Sequence, residues 1–206
     1  AELRSMIVAM RSKASEYKDI NAHPACRFPA RRRYLEERLH GFQASVSRQD
    51  CQMFEKWRAT LGKERVSLVF SSYFANNPAS IFGHSFLRLH RTQADGNDGG
   101  ILDDTINFMA YPFTMNPVLY PVYGMTGAFP GRFSMLPYYA KVQEYNNADS
   151  RDLWEYELVM ASDEITRLHE VIWEVGPPVE INYYYFDENC SFVILLLLQA
   201  ARPDLD

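Results

Sequence analysis

A single cysteine stands where a polar turn meets an apolar run in FDENCSFVILLLL, residues 186–198. Thiolate is the nucleophilic form of cysteine, and the unpaired amides and dipole of a helix start stabilise it. The same amides can receive the oxyanion that forms when sulfur adds to a carbonyl. Cys190 is therefore a candidate nucleophile, although a cysteine beside Phe-Val-Ile-Leu also serves as ordinary core packing. A thiol nucleophile needs a general base delivered by a rigid element. Of His23, His40, His84, His90 and His169, His84 is the candidate, because it follows a glycine at the start of the predicted strand HSFLRLHR. His23, His40 and His169 read as surface or capping residues. His90 falls on the same strand face as His84 by alternation. The two histidines with Cys190 lack the compact spacing of a metal motif, so neither a metal nor an organic cofactor is expected.

The elements that must position these residues are legible from periodicity. VEINYYYF predicts a strand that feeds the Cys190 helix. RVSLVFSSYFA, HSFLRLHR and TINFMAY predict a meander of antiparallel strands, with NNPAS and QADGNDGG as connections. RDLWEYELV predicts another strand, and SDEITRLHEVIWEVG a helix capped by Ser162 and stopped by Gly176. The first sixty residues read as helical. Leu3, Met6, Ile7, Met10, Ala14 and Tyr17 form one stripe, a second helix starts after Pro29 and ends at Gly41, and a third spans Val46 to Leu61. The run Arg31, Arg32, Arg33 reads as a solvated helix face. YPFTMNPVLYPVYGMTGAFPGRF reads as a long apolar loop, of the kind that serves as a lid. The expectation is an α+β fold with a helical region over 1–62 and one compact catalytic core over 63–206.

The chain of 206 residues carries a net charge of -5, which argues against nucleic acid, since phosphate binding rests on clustered Lys and Arg. No run reaches the roughly 18–20 apolar residues of a spanning helix. AELRSM has no basic, apolar leader pattern, so the chain is expected to lack a span and a retained leader of its own. Cys26 and Cys51 flank a predicted helix, and a bridge between them would imply an oxidising compartment, in a bacterium the periplasm. Two buried free thiols in a cytosolic protein are the alternative.

The motifs FGHSFLRL, INFMAYPF, YGMTGAFPGRFSMLPYYAKVQEYNNADSRDLWEYEL and YYYFDENCSF occur in an order that resembles the Lnb N-terminal periplasmic domain family. CRFPARRRYL and DCQMFEKW fit it too, extending the resemblance to roughly residue 20. The order of histidine before cysteine, with a terminal NC-containing helix, is also similar to lecithin retinol acyltransferase and other circularly permuted NlpC-type, papain-like thiol enzymes. The resemblance implies a permuted papain-like antiparallel sheet with packed helices. It implies cysteine-dependent acyl transfer in the bacterial cell envelope, moving an acyl chain from a phospholipid to the N-terminal amine of a lipoprotein through a Cys thioester. Carried onto this sequence, Cys190 matches the nucleophile, His84 the base, and Asn107 the residue that orients the imidazole, with Asp104 as rival. Under this reading Tyr120, Tyr123, Met125, Phe129 and Phe133 line an acyl groove or meet the membrane surface. A plain cover for the sheet is the alternative.

Two other functions compete. A cysteine peptidase or amidase acting on peptidoglycan or other amide bonds would use the same Cys190 and His84. A non-catalytic envelope-binding module would use neither.

Overall fold

The computed structural model describes residues 2–72, 83–91, 100–144, 152–176 and 179–205. The predicted connection NNPAS and nearly all of QADGNDGG lie outside them. The chain forms two compact units, one of Ala1–Thr60 with Arg167–Glu174, the other of Leu61–Thr166 with Val175–Asp206.

In the first unit, helices α1 (Glu2–Met10), α2 (Pro24–Arg27), α3 (Pro29–Arg38) and α4 (Gln52–Thr60) gather around two small cores. The expected long first helix stops at Met10, and Ala14–Glu16 form a separate 3-10 turn. The third helix starts six residues later than Val46. Ser47 donates through both its amide and its hydroxyl to the Asp50 carboxylate, a turn that competes with helix geometry. Cys26 and Cys51 are bridged, and their disulfide sits in a core with Ala25, Val46 and Phe54. Trp57 and Trp173 pack ring against ring beside it.

The arginine run departs from the solvated face that its composition predicts. Arg32 is buried, Arg31 pairs with Glu174, and Arg33 forks onto Glu170 at 2.6 and 2.7 Å. Glu170 is itself buried and also accepts from Arg48. Charge of one sign from α3 thus meets charge of the other sign from residues 167–174, and burial strengthens the pairing geometry's importance.

The second unit is built on six strands: β1 (Arg65–Ser71), β2 (His84–His90), β3 (Asp104–Ala110), β4 (Phe129–Pro137), β5 (Leu153–Leu158) and β6 (Glu180–Tyr183). Their order is β5-β1-β2-β3-β4-β6, with every neighbouring pair antiparallel. Strands β1, β2 and β3 form the expected meander, and β4 extends it by one strand. Helix α8 (Cys190–Ala201) packs on β2 and β3 through Val193 and its neighbours, which gives the mixed α+β architecture. With α5 (Leu119–Thr126), α6 (Tyr138–Val142) and α7 (Ser162–Val175), the described residues hold eight α-helices.

Two sequence expectations change here. The long apolar stretch is not a free loop: its middle is α5 and its end is β4, a strand that Pro130 and Gly131 disguise. Gly131 is needed because a Cβ there would strike the ring of Phe108 on β3. Helix α7 is capped by Ala161, whose amide donates to the Glu164 carboxylate, so Ser162 is its first residue and not its cap.

Candidate functional site

Helix α8 begins at Cys190 because Asn189 stops the preceding turn and caps it. The Asn189 side-chain oxygen accepts from the amides of Ser191 and Phe192 at 3.1 and 3.2 Å. Two of the amides that sequence reasoning offered to a thiolate or an oxyanion are therefore already occupied. The Cys190 thiol is buried, and the hydroxyl of Tyr183, the last residue of β6, faces both its sulfur and its amide. Burial first, and then the neighbouring sulfur, hold the Tyr183 phenol above its ordinary range, so it stays protonated and can donate. Tyr183 was not singled out by sequence reasoning. The signal was present, since it ends the strand that delivers the cysteine, but three consecutive tyrosines hid which one turns inward.

His84 opens β2 directly after Gly83, whose φ of 82° only glycine adopts without strain. Its Nε2 lies 3.4 Å from Oδ1 of Asn107, and its ring stacks on Phe86 with centroids 6.0 Å apart. With the Asn107 oxygen as acceptor, Nε2 is the donor of this contact. Asn107 is fully buried and is held in turn by donating to the Thr105 hydroxyl at 2.9 Å. Asp104 is engaged elsewhere, by the Arg91 fork, and burial raises its carboxyl above the ordinary value.

The two halves of the candidate site meet at one end of the sheet. The Ser85 hydroxyl, next to His84, touches the Ser191 hydroxyl, next to Cys190, at 3.0 Å. Alternation along β2 then sets the His84 ring, with Phe86 and Asn107, on the face opposite the one that Ser85 shares with α8. The structure brings Cys190 to Tyr183, and His84 to Asn107, with the end of β2 between the pairs.

His90 shares the face of His84 but belongs to a charge cluster. Its Nε2 meets the Ser67 hydroxyl at 2.7 Å, and its ring lies near Asp103 and Glu155. Arg88 bridges the same two acids and lies over the Tyr138 ring, 4.2 Å from its centroid. Ser67, His90 and Asp103 are in the sequence of contacts of a serine-nucleophile triad. Ser67 is 1% exposed and Asp103 is 0% exposed, so both are buried in the fold. The cluster ties β1, β2 and β5 together.

Of the predicted groove residues, Tyr120 and Phe129 are in a core with Phe108, Tyr183, Tyr185 and Val193. Tyr123 and Phe133 pack against that core, and Met125 is exposed. Four of the five thus belong to this core or pack on it.

The fold and site define a mixed α+β domain with a disulfide, in which no helix among the described residues is long and apolar enough to cross a membrane. Residues 53–206 match the Lnb N-terminal periplasmic domain, and the chain belongs to that family of periplasmic domains. The match begins inside DCQMFEKW, so CRFPARRRYL and the disulfide lie before it. No curated protein and no solved structure matches the chain.

Proposed function

We propose that this periplasmic domain is a thiol acyltransferase with a circularly permuted papain-like core, in which Cys190 takes an acyl group from a phospholipid and passes it to the N-terminal amine of a lipoprotein. The observation that carries the reading is the Cys190 thiol at the start of an apolar helix, faced by the protonated Tyr183, at the sheet end where His84 and Asn107 form a pair. The sulfur would attack the ester carbonyl as its proton passes to His84, with Tyr183 donating to the developing oxyanion. Collapse of that intermediate releases lysophospholipid, whose alkoxide takes the proton from histidine, and leaves a thioester. The amine then attacks the thioester and restores the thiol. Water in place of the amine would make the same site a hydrolase, and an amide in place of the ester would make it an amidase. The chemistry requires the side chain of His84, the first residue of β2, to pass around the end of that strand.

A non-catalytic envelope-binding module is the second reading, favoured by the burial of Cys190 and by the placing of His84 on the β2 face opposite the one Ser85 shares with Ser191. The rate of iodoacetamide labelling at Cys190, followed against pH in the native domain and in His84→Ala, separates the two. Labelling at neutral pH that slows at least several-fold without His84, together with release of lysophospholipid that Cys190→Ala abolishes, supports catalysis. Labelling indifferent to His84 leaves the binding module.

A further inference from the structure

From Thr105 to Gly131 the chain has no Asp, Glu, Lys, Arg or His. Part of this run is buried in the sheet, but the segment from Tyr111 through α5 turns large apolar side chains outward. Phe113, Met115 and Val118 are 66%, 76% and 70% exposed, and Leu119, Val122 and Met125 follow on the outer side of α5. Its inner side is Tyr120 and Gly124, so this helix is apolar all round. A surface helix of a water-soluble protein ordinarily has a charged outer face. Phe113 also packs on Tyr123 and Phe129, which joins the segment before α5 to the helix itself.

Three polar side chains of the segment, Thr114, Asn116 and Thr126, bond to its own backbone. The Asn116 oxygen accepts from the amides of Val118 and Leu119, the Thr114 hydroxyl accepts from the Asn116 amide, and the Thr126 hydroxyl donates to the Val122 carbonyl. A protein partner would leave such groups available for its own hydrogen bonds, whereas a lipid surface demands that they be satisfied internally. The surface also runs on to the candidate nucleophile. The Tyr185 amide donates to the Gly124 carbonyl at 2.9 Å, and exposed Phe186 comes next, four residues before Cys190.

The geometry points to a lipid-docking surface: the exposed side of residues 111–126, with Phe186 beside it, inserts into the interfacial layer of a bilayer and sets the entrance to Cys190 at the lipid boundary. The inference rests on the acyl-transfer reading for the use of this position, but not for the binding itself. Docking runs on apolar burial, since the segment carries no cation and the chain as a whole is acidic. Binding to zwitterionic vesicles is therefore expected without anionic lipid and with little change between low and 1 M salt.

The test is flotation of the chain with phosphatidylcholine vesicles, for the native protein, Met115→Glu/Val118→Glu and Cys190→Ala. The native protein and Cys190→Ala are expected to float equally. The double variant should partition about tenfold more weakly, as expected for two lost apolar anchors, while keeping the native circular dichroism and Cys190 labelling rate. Native protein that stays unbound, binding that requires anionic lipid and disappears at high salt, or self-association that the double variant abolishes would each overturn the proposal. Flotation without lysophospholipid release would leave the docking surface standing and remove the acyl-transfer reading.

Discussion

The hydroxyls of Ser85 and Ser191 touch at 3.0 Å, and this contact fixes the start of helix α8 against the start of strand β2. Each serine directly follows a candidate catalytic residue, so the contact links the cysteine-bearing and histidine-bearing elements. Replacing Ser85 by Ala removes one partner and leaves the Ser191 hydroxyl beside an apolar methyl. A loss of about 1 kcal/mol is expected from chemical denaturation. Under the acyl-transfer reading, product release should fall more than stability alone explains, and Ser85→Thr should restore part of it. Unchanged turnover in Ser85→Ala would show that the contact has no part in positioning.

Asn189 spends its side-chain oxygen on two amides of α8 and its side-chain nitrogen on the Tyr185 carbonyl at 3.3 Å. Asn189→Ala should cost about 1 kcal/mol, the usual worth of an N-cap. The first turn of α8 should fray, and buried Cys190 should become more accessible. Faster iodoacetamide labelling in Asn189→Ala than in the native protein, with hydrogen exchange raised at residues 190–193, is the expected pair of results.

Gly124 lets the ring of Tyr185 lie directly on α5. A Cβ added there would land within that ring, which also meets Tyr120 and Tyr183 and is hemmed in on those sides. Gly124→Ala, usually a gain in a helix, is expected to destabilise the second unit by about 1–3 kcal/mol as overpacking does. Thermal unfolding measures the sign directly, and a stabilised variant would show that Tyr185 moves aside freely.

Sequence reasoning located the sheet because β1, β2, β3 and β5 have β-branched and aromatic runs between turn residues. It located α8 because Asn189 and Cys190 stand at a sharp polar-to-apolar boundary. It failed at β4, where Pro130 and Gly131 act as breakers in isolation but serve a strand whose partner ring needs the space. It failed at the arginine run, since nothing local to α3 shows that Glu170 and Glu174 return to it from more than 130 residues away. The direction of His84 was equally hidden. Residues of both parities along β2, Phe86 as well as Leu87 and Leu89, are fully buried. With both faces of β2 buried, alternation alone does not say which one receives α8.

Two carboxyl groups give opposite pH dependences. Hydrogen bonding to His90, then to Ser67 and Arg88, outweighs burial and lowers the Glu155 carboxyl to about 2. Its folded pKa lies below its unfolded value of 4.5, so its contribution is complete above that value and is lost as pH falls from 4.5 through 2. Burial outweighs the Arg31 amide and charge and raises the Glu174 carboxyl to about 7. The first unit is therefore most stable, as regards this group, below 4.5, and loses stability as pH rises from there through 7, by on the order of 2 kcal/mol. Glu174→Gln should flatten the decline in the urea midpoint between pH 5 and 7, whereas Glu155→Gln should leave that window unchanged and blunt the loss at acid pH.

The Cys26–Cys51 bridge closes a loop of 25 residues that contains α3 and the turn leading to α4. Cross-linking such a loop removes conformational freedom from the unfolded chain, worth about 3 kcal/mol in the loop-entropy treatment. The first unit has only small apolar cores of its own, so it depends on the bridge more than the sheet does. Reduction, or Cys26→Ser/Cys51→Ser, should lower the unfolding temperature of that unit while the second unit, whose sheet holds Cys190, keeps its folded signal. Hydrogen exchange resolved by segment distinguishes the outcomes: loss of protection confined to residues 2–60 and 167–174 is expected. Simultaneous loss in β1–β4 would mean that the two units unfold as one cooperative body.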